Sequence, residues 1–155
     1  MRTIDGSQTA SGLRVAVVVS KYHDFVTEKL QQGALAALDA AKVNPTAITI
    51  VKVAGAFEIP MAARLAAETR HFDAVVCLGC LIKGETPHFD FIASAVAHGL
   101  VTAAGDTDVP MSFGVLTTHS AEEALARAGN GPSNKGWEAA AAAIDMATVA
   151  RALRG

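Results

Sequence analysis

The chain is short of charge. Asp, Glu, Lys and Arg make up 18% of its 155 residues, where a soluble domain carries about 25%. Apolar residues reach 51%, much of it Ala. That balance leaves apolar surface uncovered and points to self-association. The formal net charge is −2, which carries no basic footprint for a nucleic-acid partner. Cysteine is scarce, with two residues; a chain this long hides roughly 70% of its unfolded surface and needs neither a disulfide nor a metal to hold it together. Two cysteines with scattered histidines also make a poor zinc site, so no metal is expected. Long apolar runs are missing. Val15 to Val19 falls far short of the ~20 residues that span a bilayer, which removes a membrane partner. Met1 to Gly6 holds no apolar core of a signal peptide, and reduced thiols suit a cytoplasmic location. There are no repeats, charge blocks or low-complexity linkers, so residues 1–155 read as one domain.

What the chain does have is alternation. Arg14 to Ser20 is Val-rich and reads as a buried strand. Asp24 to Ala41 follows with Val26, Leu30, Ala34, Ala37 and Ala41 at helical spacing. Ala47 to Val53 is a second strand, and Pro60 suits the first turn of a helix running to about Thr69. Asp73 to Ile82 is a third strand, Phe89 to Ala104 a third helix, and Met111 to Leu116 a fourth strand. Ser120-Ala121-Glu122-Glu123 is a capping box opening a short helix to about Ala128. A final Ala-rich helix from Asn134 to Leu153 carries Trp137, Ala140, Ile144 and Ala147 on one face. Strands apolar throughout, alternating with helices, mean a parallel sheet covered on both sides. The expected fold is a three-layer α/β/α sandwich around a four-stranded parallel sheet. Ligands of such sheets bind beyond the carboxyl ends of the strands, at Lys21–Asp24, Gly55–Ile59, Lys83–His88 and Thr117–Ser120.

Those segments carry chemistry, each with a plainer alternative. Tyr22 follows a buried strand and reads as a stacking ring for a flat heterocycle or as cover for the sheet edge. Gly55-Ala56-Phe57-Glu58-Ile59-Pro60 joins a strand to a helix start, where free N–H groups bind polar ligand edges. Glu58 there is either a ligand acceptor or ordinary first-turn charge. In Lys83-Gly84-Glu85-Thr86-Pro87-His88, Thr86 and the backbone around Gly84 and Glu85 can donate to a phosphate. His88 reads as a proton shuttle or as a capping or surface histidine. Lys83 is a Schiff-base candidate only if desolvated; otherwise it is solvated or binds an anion. Cys77-Leu78-Gly79-Cys80 fits C-x-x-C but lies inside an apolar strand, away from the helix start that a redox pair needs. Cys77 reads as core and Cys80 as a residue that lines a pocket by position. Arg127 to Gly136 is a helix-to-helix turn flanked by cations, neither a P-loop nor a dinucleotide fingerprint. Arg127 reads equally as helix-dipole compensation and as a phosphate clamp.

Together these segments resemble the lumazine synthase family over nearly the whole chain. Gly55-Ala56-Phe57-Glu58-Ile59-Pro60 is similar to the family's G-A-F-E-I-P signature, Leu78 through Asp90 to its strand-loop-helix core, and Asn134-Lys135-Gly136 to its N-K-G. Each match is short; three in order on the expected elements are specific. The resemblance implies a flavodoxin-like fold and the penultimate step of riboflavin biosynthesis, a transferase reaction without a cofactor. There 5-amino-6-(D-ribitylamino)uracil and 3,4-dihydroxy-2-butanone 4-phosphate give 6,7-dimethyl-8-ribityllumazine, phosphate and water. By the same resemblance Tyr22 stacks on the pyrimidine, and Ala56, Phe57 and Glu58 hold the ring and ribityl chain. Cys80, Leu81 and Ile82 line the pocket through their backbone. Glu85 and Thr86 meet the butanone phosphate, and His88 moves protons. Phe113, Arg127 and Lys135 come from the adjacent subunit, with Arg127 on the phosphate.

Three positions depart from the family pattern. Tyr22 stands where Phe or Trp is common, Lys83 where Arg is frequent, and Gly131-Pro132 in a turn that often holds a Lys. Family members assemble as pentamers, paired pentamers or hollow icosahedral shells of sixty subunits. No insertion lengthens the turn near Pro132, which favours the shell, with riboflavin synthase as an enclosed partner. Residues 1–13 are expected as an arm packing on a neighbouring subunit. Two rivals stand beside this reading: an aldolase using Lys83, and a non-catalytic flavin-binding or shell-forming relative.

Overall fold

Four β-branched segments pair into one parallel sheet in the computed structural model, which describes residues 1–155. They are β1 (Val15–Ser20), β2 (Ile48–Val53), β3 (Ala74–Ile82) and β4 (Met111–Thr118), in the order β2-β1-β3-β4. Five helices connect and cover them: α1 (Asp24–Ala40), α2 (Ile59–Glu68), α3 (His88–Thr107), α4 (Ala121–Ala126) and α5 (Lys135–Arg154). The result is the three-layer, flavodoxin-like sandwich.

Alternation along the central strands feeds both layers. Val15, Val17, Val19, Val76, Leu78 and Cys80 enter one core with Leu30, Leu38 and Ile144 of α1 and α5. Ala16, Val18, Val75 and Cys77 enter the other with Ile59, Ala63, Val96 and Leu100 of α2 and α3. Because every position of β1 is buried, the strand has no polar face to present, which is why its sequence reads as an unbroken apolar run.

The helix pair α1–α5 is locked by a single side chain. Asn134, 2% exposed, caps α5: its Oδ1 accepts from the N–H of Gly136 (2.7 Å) and Trp137 (3.1 Å). Its Nδ2 donates to the carbonyls of Gly129 (2.7 Å) and Lys29 (3.1 Å). The approach this requires leaves no room for side chains. A Cβ on Gly33 would run into Asn134, and one on Gly136 into the Leu30 carbonyl.

Element ends moved by a few residues from the sequence reading. Helix α3 starts at His88 and runs on to Thr107, where Asp108 turns left-handed (φ 59°) and its N–H closes on the Ala104 carbonyl. Strand β4 extends to Thr118 because Leu81 and Ile82 continue its pairing with β3. Residues expected as an arm for a neighbour lie partly on their own chain. The Ser7 N–H donates to Thr148 Oγ1 (2.9 Å), Gln8 Nε2 donates to the Ala141 carbonyl (3.1 Å), and Ala10 and Leu13 are buried in the protomer's own core. No helix is long and apolar enough to cross a membrane.

Candidate active site

From β1 the chain steps to β2 on one side and later to β3 on the other. That divergence opens a crevice at the carboxyl ends of β1 and β3. A cleft of about 710 Å³ occupies it, lined from three loops by Tyr22 and His23, by Gly55 through Glu58, and by Leu81 through Gly84 with Thr86 and His88.

Backbone bonds deliver these side chains. The Lys21 N–H donates to the Val53 carbonyl (2.8 Å) and that of Tyr22 to Ala54 (3.0 Å), so the β1–β2 ladder continues past the strand ends and seats Tyr22 beside the Gly55 loop. Tyr22 is 68% exposed, a poor cover for a sheet edge and a ready stacking face. Ala56–Glu58 forms a single 3-10 turn entering α2. Glu58 is the N-cap of α2, yet its carboxylate makes no capping bond, which leaves it available to a ligand. After β3 the Lys83 N–H donates to the Thr118 carbonyl (2.8 Å), whereas the N–H groups of Gly84, Glu85 and Thr86 bond to no backbone carbonyl. Three amides free of backbone partners precede a 20-residue helix, a position where N–H groups can meet an anion. His88 opens that helix and reaches the same cleft.

Not every expected residue is there. Cys80 is 2% exposed and packs in the α1–α5 core; burial pushes its thiol up to about 11. Cys77, three residues earlier, faces the α2–α3 core, its thiol pushed up to about 12 by burial. The C-x-x-C pair therefore points to opposite sides of the sheet. Glu85 sits exposed on its loop and does not line the cleft. Lys83 lines it but is exposed, without the desolvation a Schiff-base lysine requires.

Phe113, Arg127 and Lys135 line a separate cleft of about 570 Å³ along β4 and α5, which shares no residue with the first. Arg127 Nη1 donates to the Glu123 carbonyl (3.0 Å) at the end of α4, so helix-end compensation is real. One of its five N–H donors serves that bond. Lys135 Nζ is paired with Glu138 Oε2 at 2.8 Å. Phe113 is half exposed on the edge strand.

One lining residue had no role in the sequence reading. His23 adopts a left-handed backbone (φ 60°, ψ 46°), which costs an L-residue roughly 1–2 kcal/mol. Its ring centroid lies 4.4 Å from that of Tyr22 and 5.8 Å from that of Phe25. Burial holds its imidazole below the usual histidine range. The signal was present as three rings in four residues directly after a buried strand.

A sheet of this order with an aromatic-edged cleft at its switch point defines a flavodoxin-like α/β protein. The family model of 6,7-dimethyl-8-ribityllumazine synthase matches residues 12–151, and the chain belongs to that family.

Proposed function

We propose that the chain condenses 5-amino-6-(D-ribitylamino)uracil with 3,4-dihydroxy-2-butanone 4-phosphate to 6,7-dimethyl-8-ribityllumazine, releasing phosphate and water. The observation that carries this is one cleft lined by an exposed aromatic ring, a carboxylate free of capping bonds, a histidine and the loop whose Gly84, Glu85 and Thr86 amides bond to no backbone carbonyl. Tyr22 takes the flat uracil, and Glu58 with the Ala56–Phe57 backbone takes the ribityl hydroxyls. The Gly84–Thr86 amides at the start of α3 take the phosphate. His88 moves protons as the substrate amine attacks the ketone, water leaves to give the imine, phosphate is eliminated, and ring closure expels a second water. The nucleophile belongs to the substrate, so catalysis rests first on holding two reactants together, potentially ~7–11 kcal/mol. A positioned acid–base adds roughly 10²–10⁴-fold.

The second cleft belongs, in this reading, to the neighbouring protomer's site. Phe113, Arg127 and Lys135 of one chain complete the Tyr22–His88 cleft of the next, with Arg127 on the phosphate. Exposed Phe57, Met61, Leu65, Phe91 and Val101 on and before α2 and α3 supply apolar surface for such an interface. The assembly is a ring of five, with twelve rings closing a shell of sixty that can enclose riboflavin synthase. Two unpaired thiols suit the cytoplasm. Mixing the protein with both substrates tests the reaction: lumazine absorbance and green fluorescence are expected. A correctly assembled protein that binds a flavin yet forms no lumazine would instead be a non-catalytic relative.

A further inference from the structure

The imidazole of His23 stands beside the Tyr22 ring, and the reaction above gives it nothing to do. His23 is the N-cap of α1, yet its side chain makes no capping bond. Its carbonyl alone holds the helix entrance, accepting from the N–H of Val26 (2.9 Å) and Thr27 (3.1 Å). The left-handed backbone at φ 60° is one that Gly takes at no steric cost and Asn, Asp and His take more often than other residues. Position 23 places an imidazole ring there. That ring meets two aromatic neighbours of its own segment: Tyr22 at 4.4 Å, tilted 54°, and Phe25 at 5.8 Å, edge-on at 89°. The Phe25 pair has the edge-to-face geometry and separation of a favourable aromatic pair, and the Tyr22 pair lies at the short limit of that range; a left-handed residue kept at a cleft wall points to a functional demand.

We propose that His23 is a positioning residue, wedged between Tyr22 and Phe25 so that the exposed Tyr22 ring is fixed as a platform for the flat pyrimidine. This rests on the reading of Tyr22 as the ring that meets the uracil. His23 acts through Tyr22 on ground-state binding, so its loss raises KM for the pyrimidine substrate and leaves kcat unchanged.

The test compares His23→Asn and His23→Phe in the full-length protein, with light scattering to confirm unchanged assembly. His23→Asn is expected to raise KM for the pyrimidine substrate about five- to tenfold, while the thermal midpoint holds because Asn suits the left-handed backbone. His23→Phe keeps a ring and is expected to stay within about twofold of the wild-type KM. A wild-type KM in His23→Asn would overturn the proposal, as would equal impairment of both variants. Riboflavin affinity, read by quenching of flavin fluorescence, separates this from failure of the proposed reaction. If the wild type makes no lumazine, weaker flavin binding in His23→Asn but not in His23→Phe still sustains the wedge, and equal binding in all three ends it.

Discussion

His88 and Arg127 divide the proposed chemistry between a proton and a phosphate, and their variants fail differently. His88→Ala removes the acid–base but leaves both reactants bound. A kcat about 10²-fold lower with measurable turnover is expected; a folded, assembled variant with none at all would contradict a proximity-led mechanism. Arg127→Ala leaves the proton path intact, and a raised KM for the phosphate substrate with little change in kcat is expected. An unchanged KM would remove the clamp. The buried thiols make a third prediction. Their pKa values, about 11 and about 12 against 9.0, keep both protonated in the fold. The native protein is therefore expected to react negligibly with a thiol-specific disulfide reagent at pH 8 and to release two equivalents once unfolded. Because the unfolded chain ionises first, the thiols leave stability unchanged below pH 9 and lower it as pH rises from there. At this scale the sequence was readable where position follows from strand ends, as for Tyr22, Glu58, Thr86 and His88. Cys80 escaped because the side a residue faces depends on register: in β3 it falls on the α1–α5 face. His23 escaped because contacts between rings are not displayed by linear spacing.

Elements were more legible than residues, since both kinds carry physical periodicities. The apolar runs of β1 and β3 follow from burial on two faces, and the Asp24 helix from its i, i+4 stripe. Their ends are set by local events, such as the left-handed Asp108 closing α3. The N-K-G motif shows how an element-level demand hides in what looks like a site signature. Lys135 alone of the three lines the Arg127 cleft; Asn134 and Gly136 are there because α5 must start against α1. Asn134→Ala removes a helix cap and the two bonds that tie α5 to the Gly129 and Lys29 carbonyls. A loss of about 2–3 kcal/mol is expected, a fall of roughly 5–10 °C in the thermal midpoint for a chain of this size. Calorimetry reads it directly, and a shift under about 2 °C would show the lock to be dispensable.

At the scale of the whole molecule, the proposed function divides each active site between two chains. The chain's low charge content already signalled surface to be covered, but which surface meets which is a property of two chains and has no imprint in the spacing of one. If the Tyr22–His88 cleft of each protomer is completed by the Arg127 cleft of the next, His88→Ala and Arg127→Ala damage opposite halves of a shared site. Around a ring with head-to-tail contacts, a site is intact when an Arg127→Ala protomer supplies its His88 and a His88→Ala protomer supplies its Arg127. Random mixing of equal amounts makes about one site in four intact. Each variant alone is nearly silent when the phosphate substrate is held well below the raised KM. Dissociating the two variants together and reassembling them is then expected to restore about a quarter of wild-type activity, while variants assembled separately and then combined restore none. Recovery absent from a co-assembled mixture, with light scattering at a multiple of five times the 15.9 kDa protomer, would mean that each protomer works with its own residues alone. A single mixing experiment thus decides whether the two clefts work as one site across neighbouring protomers.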